Sequence, residues 1–420
     1  MNRLIQWYSG LAIYIKLFPF FLVYVFISLS LPSTKFNSDE VRFLNYAQNI
    51  LNGYYSDPFP NIKLWNGPGY PLLLAPLVYL NVPIGSIPLL NAVFLYLSLL
   101  VTYYSARFSA GDRGAFLVAA SLGVYFPIFE LLPSRMTEIP AFFWVSLSIY
   151  FFLRNFQESK INYKVLVLNS LAISCLALTK VIFGYVILSM IFFSFFLILF
   201  PRFRTSGKKL ALTFMLSLLF CSPWLLYTYR ITNEWFFWAS SGSMSLFTMS
   251  LTGPNELGDW RDLSELKAVP KNQRLIDSIQ SLNNWEKYLA YKNEAIKNIR
   301  KHPKKYAQNW IANVGRMVFS YPFSFGNQTI KTYWTIIPNM FIVVFVVISI
   351  GLCFLNFKNF HPCYFYLLIF MLTYLAGSSL LSAYRRMFYI SVPFWYVFLS
   401  YVLNRIVSIQ WRRPEANAAD

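Results

Sequence analysis

Carboxylates are scarce in this chain, with 17 aspartates and glutamates among 420 residues against 36 lysines and arginines. Charged residues of both signs make up 13% of the sequence, whereas a soluble domain carries about 25%. Histidine is nearly absent. His302 and His361 fall in separate loops, which excludes a His-rich metal site and a His-based triad. The four cysteines (Cys175, Cys221, Cys353, Cys363) share no spacing that would suggest a disulfide frame or a zinc knuckle. There is no P-loop and no Gly-x-Gly-x-x-Gly after a strand, so no nucleotide-binding domain is expected, and Gly67-Pro68-Gly69 reads as a lone turn signal. Leu17–Leu31 lacks a small-residue cleavage site and reads as a first spanning helix, not as a signal peptide.

Apolar and aromatic residues fill the space that charge leaves, at 57% and 20%. Runs near spanning length recur at Leu17–Leu31, Ile84–Tyr104, Ala115–Leu132, Ile139–Leu153, Val165–Leu178, Val181–Phe200, Leu210–Tyr229, Ile336–Phe354, Tyr364–Leu381 and Met387–Leu403. The expected fold is therefore an all-α polytopic membrane protein of about ten spans. Tyr70–Val82 is apolar too, but Pro71, Pro76 and Pro83 mark it as a helix lying on the membrane surface or dipping in.

The formal charge of +19 is explained by orientation, not by a nucleic-acid partner. With both termini inside, the inner loops hold Arg107 and Arg113; Arg154, Lys160 and Lys164; Arg202, Arg204, Lys208 and Lys209; and Lys358, while Arg405, Arg412 and Arg413 lie in the tail. Three regions follow: a transmembrane module over 1–229 with a first outer loop at 32–69, a large outer loop at 230–335, and C-terminal helices with a short tail at 336–420. The large loop is expected to form a cap, with a helix at Trp285–Arg300 ended by Pro303, and Pro414–Asp420 is expected to be disordered.

Sorted on this topology, few carboxylates remain near the outer ends of spans. Asn37-Ser38-Asp39-Glu40 opens a stretch in which Val41, Leu44, Ala47 and Leu51 recur at helical spacing, a surface helix. Asp39 and Glu40 are candidates for acid–base chemistry, although carboxylates in a first turn also complement the helix dipole, and Asn37 with Glu40 resembles a capping box. Glu138 sits in the short turn Ser134–Pro140, and Glu130 is expected to be buried at the end of its span. Arg135, Lys180, Arg385 and Arg386 fall at outer positions where orientation does not require them. They could bind a phosphate or pair with the nearby carboxylates.

The order of several motifs resembles the GT-C membrane glycosyltransferases that use polyprenyl-phosphate sugars, the superfamily of protein O-mannosyltransferases and aminoarabinose transferases. The matching stretches are DEVRFLNYAQNILNGYY from Asp39, NGPGYPLLLAPL from Asn66, SRMTEIPAFFW from Ser134, LALTKVIFGYVIL around Lys180, IRKHPKKYAQNWI in the large loop, and YRRMFYISVPFWYVFL from Tyr384. The resemblance implies an inverting transfer from a polyprenyl-phosphate sugar to a lipid, glycan or protein acceptor at the outer face of the cell (inner) membrane. It matches Asp39 to the catalytic base, with Glu40 beside it, Glu138 to the second acid, and Lys180, Arg385 and Arg386 to donor-phosphate contacts. Related chains often carry Lys before a Pro-Pro pair where this one has Trp65-Asn66-Gly67-Pro68, so Lys63 is the candidate substitute. A divalent metal on carboxylates stays open. So do an O-antigen-type polymerase and a lipid-linked sugar transporter.

Overall fold

The computed structural model describes residues 11–30, 38–157, 160–267, 269–324 and 331–407. Among these there is no strand. The helices are α1 Ile13–Ser30, α2 Ser38–Leu51, α3 Gly69–Tyr79, α4 Leu89–Gly123, α5 Glu138–Gln157, α6 Tyr163–Thr179, α7 Ile182–Ile198 and α8 Arg204–Thr232. The large loop folds as α9 Ser241–Met249, α10 Leu263–Lys267, α11 Pro270–Gln280, α12 Asn284–Lys301 and α13 Pro303–Phe319. α14 Lys331–Leu355, α15 Pro362–Ser379 and α16 Arg385–Arg405 complete the chain.

Seven helical stretches are long and apolar enough to cross a membrane: Ile13–Ser30, Ile84–Gly123, Glu138–Gln157, Pro201–Thr232, Thr332–Leu355, Pro362–Ser379 and Arg385–Arg405. Other expected spans are present as helices too. α6 and α7 are 17 residues each; the expected span Ala115–Leu132 is covered only in part, by the second segment of α4, whose helix breaks at Gly111, where φ is 64°, and ends at Gly123. Positive φ costs glycine nothing and a branched residue a good deal. Large apolar side chains stand out from the bundle, such as Phe26 at 69%, Leu199 at 76% and Leu355 at 83% exposure. A soluble surface would not keep them, and hydrocarbon would. The chain is a multi-pass membrane protein.

α16 is the most buried of the candidate spans and packs against α4, α5, α13, α14 and α15. Phe108, Gln157, Asn359 and Arg405 line one small cavity, so the breaks or ends of α4, α5, α14 and α16 that lie among the basic connections gather at one end of the bundle. The short helix α3 packs against α2 and the end of α6. Pro303 does not merely stop a helix; it starts α13 one residue after α12 ends, since a residue without an N–H fits a first helical turn.

The face of α2 that packs inward holds Glu40, Phe43, Tyr46 and Ala47, while Val41 and Leu51 of the apolar stripe are exposed, as an apolar face turned to lipid would be. Asn37, the supposed cap, and the tail at Pro414–Asp420 lie outside the described residues.

Candidate active site

Three helix N-termini meet at the end of the bundle opposite the small cavity. They belong to α2, α5 and α16, and they carry Asp39, Glu138 and the pair Arg385–Arg386. Unpaired amides make a helix N-terminus partly positive, so carboxylates there are favoured. Two arginines at the start of α16 oppose that field, and the combination concentrates positive potential at one point. A cavity of about 1400 Å³ opens there, lined by Asp39, Arg42, Glu130, Glu138, Lys180, Asp262, Lys292, Arg385 and Arg386 among others. These are five cations and four carboxylates among the described residues.

The charges interlock. Asp39 accepts from Arg42 at 2.8 Å through Oδ1, and its Oδ2 lies 3.7 Å from Arg386. Arg386 also reaches Glu138 at 3.5 Å, so one guanidinium bridges both acids. Glu138, 1% exposed, accepts from Lys180 Nζ at 2.7 Å through Oε1, while its Oε2 has no hydrogen-bond partner. Breaking such a buried pair by removing one member costs about 3–5 kcal/mol. Lys180 stands in the connection between α6 and α7, where burial holds its ammonium below the usual lysine range and Glu138 opposes that shift. Arg385 clamps Glu130 with two hydrogen bonds, at 2.9 and 2.6 Å, and donates a third to Ser320. Glu130 is thereby exposed in the cavity wall and is not the buried group expected at the end of its span.

Neighbouring segments fix this arrangement. A Cβ on Gly67 would lie 2.4 Å from the carbonyl oxygen of Leu178, and one on Gly69 would lie 2.6 Å from the Thr179 nitrogen. The glycines therefore let the first loop press onto the end of α6, directly before Lys180. Opposite, Asn313 of α13 donates to the carbonyls of Ser379 and Leu381, both at 2.6 Å, and accepts from Ala383 N at 2.9 Å. Ser382 donates to the Gly258 carbonyl and shares a hydrogen bond with Thr248. The large loop thus holds the turn that aims Arg385 and Arg386.

Three expected site residues stand elsewhere. Glu40 is 1% exposed and accepts from the Arg135 backbone N–H at 2.7 Å. Arg135 is buried in turn, donating twice to the Ile84 carbonyl at 3.1 Å. Neither lines the cavity; together they latch α2 to the start of α5. Lys63 is 62% exposed, pairs with Asp57 and is outside the cavity wall. Arg42 joins the site although nothing but its position one turn after Asp39, the spacing of a helical ion pair, points to it in the sequence. Its guanidinium also lies over the Trp65 ring at 5.2 Å.

The donor set does not fit a divalent ion. Arg386 lies between the two acids that would have to converge, and among the described residues no three His, Cys, Asp or Glu side chains cluster.

A family model described as dolichyl-phosphate-mannose-protein mannosyltransferase matches residues 66–227, a stretch that includes Glu138 and Lys180 but neither Asp39 nor Arg385. No curated protein matches the sequence. Among solved structures, the oligosaccharyltransferase AglB of Archaeoglobus fulgidus, in complex with an inhibitory peptide and a dolichol-phosphate, aligns with a TM-score of 0.52 at 17% identity, covering 92% of this chain and 49% of that one. The same archaeal enzyme tethered with an acceptor peptide gives 0.51 at 14%, over 92% and 48%. ArnT from Cupriavidus metallidurans bound to undecaprenyl phosphate gives 0.44 at 14%, over 93% and 77%. This chain spans about half the length of the archaeal enzyme, and at such identity the likeness is one of fold. The chain is a multi-pass membrane protein with a GT-C-like fold.

Proposed function

We propose that this protein is an inverting glycosyltransferase that moves a sugar from a polyprenyl-phosphate donor to an acceptor hydroxyl on the outer face of the cell membrane. The observation that carries the reading is the convergence of Asp39, Glu138, Lys180, Arg385 and Arg386 on one cavity from separate elements. The archaeal structure of the same fold holds a dolichol-phosphate, and the basic connections, placed inside, put this cavity outside. Nucleotide sugars are absent there, so the donor arrives attached to lipid.

In the reaction, the acceptor oxygen attacks the anomeric carbon as the bond from that carbon to the phosphate oxygen breaks. Asp39 takes the hydroxyl proton. The electron pair of the broken bond stays on the leaving phosphate, where Lys180, Arg385 and Arg386 stabilise the developing charge. Entry of the phosphate draws Arg386 from the acids, and Asp39 Oδ2 turns to the acceptor in its place. Glu138 is a positioning residue that keeps Lys180 and Arg386 charged and aimed. A dedicated test is donor binding in lipid nanodiscs: Lys180→Ala and Arg385→Ala are expected to weaken binding of a polyprenyl-phosphate sugar with the protein still folded and inserted. Unchanged affinity in both variants would assign these cations to structure alone.

A further inference from the structure

The cavity is larger than a donor headgroup needs. Pockets for drug-sized ligands run about 300–1,000 Å³, and this one is about 1400 Å³. Part of its wall is built differently from the charged centre. Trp65, from the first loop, meets Trp260, from the large loop, edge to face at 6.3 Å between ring centroids. Both are half-buried and both line the cavity. Their backs pack on an apolar cluster of the large loop, and among the described residues neither indole N–H donates to the protein. Two residues on, Asp262 is exposed on the same wall with no ion pair among the described residues. Lys292 lies over the Tyr288 ring at 5.7 Å, also facing the cavity.

Arg42 links this wall to the proposed base. It holds Asp39 at 2.8 Å and stacks on Trp65 at 5.2 Å.

We infer that the Trp65–Trp260 wall, with Asp262, is the acceptor subsite and that it takes a saccharide. The inference rests on the glycosyltransferase reading above. A pyranose ring has apolar C–H faces and a rim of hydroxyls. An aromatic platform covers the face, an unpaired carboxylate accepts from two neighbouring hydroxyls, and indole and ammonium donors serve the remaining oxygens. An extended peptide would instead seek backbone partners, as in strand addition, and no strand edge exists among the described residues.

The test uses the full chain in nanodiscs and saturation-transfer NMR, with cellobiose, N,N′-diacetylchitobiose and a serine-containing pentapeptide as probes. A disaccharide should show transfer to its ring C–H protons. Trp260→Ala and Asp262→Asn should weaken that binding about tenfold each, the scale of one lost stacking partner or charged hydrogen bond. Trp260→Tyr should retain most of it, which separates stacking from a folding defect. Donor binding, measured in the same samples, should not change. Binding of the pentapeptide alone, or disaccharide binding indifferent to both variants, overturns the saccharide assignment while leaving the transferase reading intact. Loss of wild-type donor binding as well would bring down both.

Discussion

Asp39 and Glu40 are adjacent carboxylates in one helical turn; one lines the cavity and the other is buried, and the proposed mechanism gives them opposite duties that opposite substitutions should expose. Asp39→Asn keeps an oxygen for Arg42, and the pair it disturbs is about a quarter exposed on each side. Such a pair is worth about 0.5–1 kcal/mol after solvent screening, so the variant should unfold almost like the parent. Its transfer rate should fall by roughly 10²–10⁴-fold, the contribution of a general base, which is about 3–5 kcal/mol of barrier. Glu40→Gln should do the reverse. Gln retains the bond from the Arg135 backbone, but the buried guanidinium 3.8 Å away loses its counter-charge. The cost should be about 3 kcal/mol, the low end for stripping one partner from a buried pair, with near-parental turnover per folded molecule. Denaturation in detergent and transfer assayed in vesicles with a lipid-linked sugar measure the two quantities separately. Full-rate transfer by Asp39→Asn would refute the assignment of the base. A Glu40→Gln protein of normal stability and no activity would refute the burial argument and move the base next door.

Three further outcomes follow from the geometry. Donor binding should weaken as pH rises through the depressed value of Lys180, where its charge is lost. Glu138→Gln removes the group that opposes that depression, so the midpoint should move to lower pH, and an unmoved midpoint in nanodisc titrations would contradict the pairing. Asn313→Asp keeps the acceptor for Ala383 but sets a carboxylate against two carbonyl oxygens. Donor affinity should drop about tenfold although residue 313 is outside the cavity wall, at a cost of about 1–3 kcal/mol for each orphaned carbonyl; unchanged affinity would mean that the turn holds itself. Orientation is read by cysteine labelling from outside: Ser281→Cys, exposed in the large loop, should react and Arg204→Cys should not, while labelling of both would sink the topology.

The sequence candidates that the structure gathers in the cavity wall are those whose cost is visible in one dimension. A cation at Lys180 or Arg385 that topology does not require, or an acid at Glu138 beside apolar runs, stands out because membrane depth makes charge expensive. Rotation about a helix is harder to see. Val41 and Leu51 gave α2 an apolar stripe, yet in a membrane protein an apolar face can look outward to lipid, and the packed face holds Glu40 with Phe43 and Ala47. Pairings across long separations left no local trace. Trp65 and Trp260 meet across 195 positions of sequence, and Arg135 and Glu40 across 95. Gly67 and Gly69 looked like a turn because the pattern shows the chain bending, but not the helix end against which it presses.

The five cations and four carboxylates of the cavity wall bear on what happens after the chemistry. In the proposed reaction a donor phosphodiester would bring a single negative charge, which balances the excess cation. Once the sugar has left, the lipid keeps a phosphate monoester, which carries about 1.5–2 negative charges at neutral pH. The spent carrier is then held by a stronger field than the loaded one. Departure of the carrier, not bond breaking, would set the pace of the cycle, and any membrane lipid with a monoester headgroup would slow it by occupying the same charges.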